Sequence, residues 1–141
     1  MYNKIILPTD GSGYSEEEVE RATKLVSDEG EIVILSVAGK ITSSAFQRRS
    51  NVQKLNKELR EEAHKNVKNM ERRFEDNVNV RTKVVVGFPA EKINEVASDE
   101  NADLIIISSS GKSGLHRFII GSVAEKVLKT SDIDVLLVHS K

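Results

Sequence analysis

The stretch that decides the fold is Leu104-Ile105-Ile106-Ile107 followed by Ser108-Ser109-Ser110-Gly111, and, ten residues on, Gly121-Ser122-Val123-Ala124-Glu125. An uninterrupted apolar run gives way to a loop of small residues and then to a helical pattern. Strand, small-residue loop and helix N-terminus together offer free backbone N–H groups to an anion, most often a phosphate. Ser122 and Glu125 stand at capping-box spacing, so a helix is expected to begin there with the N–H groups of Ser122 and Val123 turned outward. The plainer alternative is that these residues only end a strand and cap a helix.

Four other apolar runs resemble the first: Ile5-Ile6-Leu7, Ile32 to Leu35, Val84-Val85-Val86 and Val135 to Val138. They are continuous rather than alternating and rich in β-branched residues, as strands covered on both faces are. Helical patterns separate them. Ser15 to Glu18 reads as a capping box, with Val19, Ala22, Leu25 and Val26 turned inward. Val52, Leu55, Leu59, Ala63, Val67, Met70 and Phe74 form one stripe at spacings of three and four. Pro89 opens a third helix carrying Ile93, Val96 and Ala97. The fourth, from Ser122, carries Val123, Ala124, Val127 and Leu128. Strands alternating with helices imply right-handed βαβ units and a three-layer α/β/α sandwich on a parallel sheet. The segment from Ala38 to Ser50 breaks the pattern and reads as a long, mobile connection.

With 141 residues, one domain over 1–141 is expected, burying roughly 68–70% of its unfolded surface. A net charge of −1 and 4% aromatic residues argue against a nucleic-acid partner. The absence of cysteine removes disulfides, thiol catalysis and cysteine metal sites. No apolar run approaches the ~20 residues of a membrane span. The opening Met1-Tyr2-Asn3-Lys4 does not read as a leader, so a cytoplasmic protein is expected.

Ligands of open α/β sheets bind beyond the carboxyl ends of the strands, where strand order reverses. Pro8-Thr9-Asp10-Gly11-Ser12-Gly13 and the 108–122 loop both occupy such ends. Asp10 is placed to hold ribose hydroxyls or a metal, or else to close an Asx turn with Gly11 and Ser12. Gly111-Lys112-Ser113 imitates the end of a P-loop, but Ile106 stands where that motif needs glycine. Lys112, His116, Arg117, Arg48 and Arg49 read as solvated charges before phosphate ligands. His64 and His139 are too scattered to form a metal or hydrolytic site.

Taken together, Lys4-Ile5-Ile6-Leu7-Pro8-Thr9-Asp10-Gly11-Ser12, Val85-Val86-Gly87-Phe88-Pro89-Ala90-Glu91, Asp103 to Ile107 and Gly121 to Val127 resemble the universal stress protein family in order and spacing. The resemblance implies a Rossmann-like, five-stranded parallel sheet in the order 3-2-1-4-5. The ATP-binding branch carries G-x2-G-x9-G-[ST]; Gly111 and Gly121-Ser122 fit it, and Ser108 replaces its first glycine. Carried over residue by residue, Pro8, Thr9, Asp10, Val37, Ile107 and Ser108 would surround base and ribose. Gly111, Gly121, Ser122 and Val123 would cradle the phosphates. The resemblance further implies ATP or a related adenine nucleotide, with Mg²⁺ or without, as ligand. It also implies a homodimer joined through the last strand, Asp134 to Val138, and a stress or regulatory role exercised on a protein partner. The alternatives are a dimeric interaction module of the same fold that binds no nucleotide, and a slow ATPase.

Overall fold

The computed structural model describes residues 1–12, 15–42, 49–109 and 120–139. In chain order its elements are β1 (Tyr2–Pro8), α1 (Ser15–Leu25), β2 (Val26–Ala38), α2 (Arg49–Glu71), β3 (Val80–Val86), α3 (Pro89–Asp99), β4 (Leu104–Ser108), α4 (Ser122–Thr130) and β5 (Asp134–Val138). The strands form one sheet in the order β3-β2-β1-β4-β5, every pair parallel. This is the architecture the continuous apolar runs demand, because each central strand must satisfy two faces.

Those faces divide by alternation. Ile5, Leu7, Ile32, Ile34, Leu104 and Ile106 meet Ala22 of α1 and Val67 and Met70 of α2. Ile6, Val33, Leu35, Ile105 and Ile107 meet Ile93, Val96 and Ala97 of α3 and Ala124 and Val127 of α4. Adjacent residues on one strand therefore serve opposite helix layers, as a period of two requires. Pro89 takes the first helical position of α3 behind an extended Phe88, where its missing N–H costs no intrahelical bond.

Three expectations change. Val26 belongs to β2 rather than to the inward stripe of the first helix, since α1 passes directly into the strand at Leu25. β2 then runs far longer than Ile32 to Leu35. Its register jumps from Tyr2↔Val26 to Lys4↔Glu31, so Ser27 to Gly30 form a bulge opposite Asn3. The apolar stripes are also narrower than the periodicity suggested: Leu55 is 40% exposed and Leu128 39%. Phe74 lies beyond the end of α2 yet still packs on the core. Before α2, the 38–50 connection is held at Ile41, whose N–H donates to Asn56 Oδ1 (2.7 Å) and whose carbonyl accepts from Asn56 Nδ2 (2.9 Å). Arg48 lies outside the described residues, and Arg49 opens α2 in an exposed position.

The amino-terminal end of the sheet carries a charge network. Arg81 on β3 contacts Glu31 (3.0 Å) and Glu100 (2.6 Å), Lys83 reaches Glu100 (3.3 Å), and Lys4 on β1 reaches Glu31 (3.3 Å). Paired with these cations, the carboxyl of Glu100 is held down to about 2, chiefly by its hydrogen bonds from Arg81. Among the described residues no helix is long and apolar enough to cross a membrane.

Candidate functional site

β1 lies between β2 and β4. The chain winds one way from β1 through β2 to β3 with α1 and α2 on one face. It then returns through β4 to β5 with α3 and α4 on the other. Strand order thus reverses between β1 and β4, and the crevice beyond their carboxyl ends is the fold's natural ligand position.

The β1 side of that crevice is a tightly bonded turn. Pro8 ends the strand, and the Thr9 N–H donates to the Leu35 carbonyl (2.8 Å). Thr9 Oγ1 accepts from the Gly11 N–H (3.2 Å), and Asp10 Oδ1 accepts from the Ser12 N–H (2.9 Å). Asp10 therefore closes an Asx turn, one of the two roles open to it, and remains exposed at the strand end. Gly11 has φ +84°, and a side chain there would stand 2.6 Å from Asn66 Oδ1 of α2. Only glycine meets both demands without strain.

On the β4 side, Ile107 is buried in the layer under α3 and α4, and Ser108 ends the strand half-buried. The next residue, Ser109, ties three elements together. Its N–H donates to the Val138 carbonyl of β5 (2.8 Å), and its carbonyl accepts from the Gly121 N–H (2.6 Å). Its hydroxyl is buried and, among the described residues, has no hydrogen-bond partner. α4 starts at Ser122 as expected, but the capping box does not form. Gly121 is the N-cap in extended backbone (φ −64°, ψ 155°), without a side-chain cap, and its carbonyl receives the Glu125 N–H (2.9 Å). Ser122 is then the first helical residue. Its N–H and that of Val123 fall in the opening turn, which has no intrahelical acceptors. Val37 and Val123 pack half-buried against the same core layer. Gly111, with Lys112, His116 and Arg117, lies outside the described residues.

The most unusual group of the site stands outside the loops that the sequence singles out. Glu18, assigned above to a capping box, turns inward from the first turn of α1 and is only 3% exposed. Its carboxylate accepts hydrogen bonds from the hydroxyl and the backbone N–H of Ser108. Burial pushes its carboxyl up to about 8, the nearby Asp10 charge pushes the same way, and the Ser108 hydrogen bonds oppose them. A signal was available, because Glu18, Ala22 and Leu25 share the i, i+4, i+7 spacing of a buried stripe.

Thr9, Gly11 and Ser12 also border a polar cleft of about 110 Å³ against Asn66, Asn69, Met70 and Arg73 of and beyond α2. That volume is too small for a nucleotide, whose pockets run to roughly 300 Å³ or more. Among the described residues no three His, Asp or Glu side chains gather as a metal cluster.

Comparison with known proteins places the fold and the family. The sequence profile of the Universal stress protein family matches residues 1–139. Universal stress protein MJ0577 of Methanocaldococcus jannaschii is 34% identical, covering 100% of this chain and 97% of its own. Its solved structure superposes with a TM-score of 0.80 over 100% of this chain and 98% of that one. Universal stress protein MJ0531 of the same organism is 32% identical over 98% of this chain and 82% of its own. A universal stress protein solved in complex with cAMP shares the fold at 24% identity, with a TM-score of 0.60 and coverage of 99% and 98%. Matched by the profile over nearly its whole length and by relatives at a third identity, the chain belongs to the universal stress protein family.

Proposed function

We propose that this chain binds an adenine nucleotide, with ATP as the favoured ligand, in the crevice between the carboxyl ends of β1 and β4. One observation carries the reading: the turn Pro8-Thr9-Asp10 and the N-terminus of α4 flank the same reversal of strand order. Asp10 suits the ribose hydroxyls, and the N–H groups of Ser122 and Val123 suit phosphate oxygens. The family relative solved with cAMP supports the ligand class. Val37, Ile107 and Ser108 would line the base and ribose end, and Gly111 and Gly121 would allow close approach to the phosphates. Mg²⁺ would be held mainly by those phosphates, the usual manner for an ion that keeps much of its water. Among the described residues β5 is paired on one side only, leaving an open edge from Asp134 to Val138. That edge supports a homodimer, and binding would then act as a cytoplasmic regulatory signal to a protein partner.

Calorimetry with ATP and Mg²⁺ tests the reading. Binding that weakens in Asp10→Ala supports it, and no heat at millimolar nucleotide refutes it. Light scattering tests the dimer.

A second reading has its own observation. Ser108 replaces the first glycine of the motif, and its hydroxyl and N–H are already engaged by Glu18. A dimeric interaction module that binds no nucleotide would be built this way. Ser108→Gly separates the two: tighter ATP binding identifies an obstructed site, and no response favours the interaction module.

A further inference from the structure

α1 carries an acid into the interior at the carboxyl end of β4. Glu18 is held there by Ser108, and among the described residues no lysine or arginine forms an ion pair with it. Among the described residues, the charged groups facing it are both acids, Asp10 from the turn after β1 and Glu17 from its own helix. β4 contributes the neutral Ser108. β2, which α1 also contacts, carries Ile32, Ile34 and the buried, neutral Ser36 on that face.

A carboxyl group so placed has two states with different consequences. Neutral, it stays bonded to Ser108 and adds no charge to the crevice. Ionised, it adds a second carboxylate beside Asp10, and an anion entering the crevice meets that charge through a poorly screened interior. We infer that Glu18 is a proton switch for the crevice: the protein holds a nucleotide's phosphates while Glu18 is neutral and releases them as Glu18 ionises. The inference rests on the nucleotide reading above.

Burial and the Asp10 charge set the free protein's switching point at about pH 8. A bound anion raises it further, so binding above that pH takes up a proton and affinity falls as pH rises. Phosphate monoesters complete their second ionisation near roughly pH 6, well below this window.

ATP affinity measured by calorimetry from about pH 7 to about pH 9.5 tests the switch, in the wild type and in Glu18→Gln, which keeps the shape and removes the charge. Wild-type affinity is expected to fall about tenfold per pH unit above the switching point, while the variant stays within about twofold throughout. Carbon NMR of the nucleotide-free wild type should place the Glu18 carboxyl midpoint near that same point. A wild-type profile that is flat, or that Glu18→Gln reproduces, overturns the switch and leaves nucleotide binding intact. A midpoint in the ordinary carboxylate range overturns the switch whatever the nucleotide does. Failure of both proteins to bind ATP at any pH removes the nucleotide reading and the switch with it.

Discussion

Replacing Glu18 by glutamine should flatten the dependence of folding stability on pH. In the unfolded chain this carboxyl titrates at its ordinary 4.5; in the folded protein it titrates at about 8. An acid raised on folding binds its proton more tightly in the native state. Its contribution is therefore greatest below the unfolded value and lost progressively as pH rises toward the folded one. At about 1.4 kcal/mol per pH unit the whole interval corresponds to roughly 3–5 kcal/mol, the lower figure if water enters when the group ionises. That is a large share of the ~5–15 kcal/mol available to a small fold. Urea unfolding at about pH 6 and about pH 9 reads the part of the interval that matters. Wild type should lose about 2–3 kcal/mol between them relative to Glu18→Gln, with the m-value unchanged. The glutamine carbonyl can still accept from Ser108, so the variant should fold. Parallel stability curves for the two proteins would refute the reasoning, because they would mean Glu18 ionises in the folded state at its ordinary value.

Other perturbations follow from contacts described above. Gly11→Ala should cost about 1–2 kcal/mol from the left-handed backbone alone, with added crowding against Asn66. Thermal melts of Gly11→Ala with and without Asn66→Ala separate the two, since only the crowding is relieved. Gly30→Ala would place a methyl group 2.8 Å from the Asn3 carbonyl. It should destabilise by about 1–3 kcal/mol in urea unfolding. A double-mutant cycle of Arg81→Met and Glu100→Gln should give about 1–2 kcal/mol of coupling that fades in molar salt. Because folding lowers the Glu100 carboxyl, that coupling is present above pH 4.5 and disappears as pH falls toward 2. Ile106→Val, at a side chain with no exposed surface, should cost about 1 kcal/mol in urea unfolding.

Much of this molecule is legible in its sequence because strands covered on both faces cannot disguise themselves. Ile5 to Leu7 and Leu104 to Ile107 are apolar at every position, and no amphipathic helix on a surface has that signature. Strand order was beyond periodicity and came from the family resemblance, since parallel pairs are joined through helices and not through turns of readable length. Val26 went to the wrong element because α1 meets β2 with no intervening loop, so no turn residue marks the boundary. Ser122 was given the cap that Gly121 holds because spacing cannot distinguish the N-cap from the first helical position. Glu18 was missed for a different reason. Three consecutive glutamates at a helix start satisfy the dipole so well that the burial of one of them leaves only a faint periodic trace. Gly111 lies outside the described residues.

In a parallel sheet every strand points the same way, and here that polarity sorts the residues by task. Lys4, Glu31, Arg81 and Glu100 are gathered at the pole where strands begin, and Asp10, Glu18, Ser108 and Ser122 at the pole where they end. Substitutions around the crevice can accumulate at one pole without touching the ionic clamp at the other. The exposed bulge at Asp28 and Glu29, on the clamped pole, is accordingly the place to attach a reporter that must not disturb the crevice.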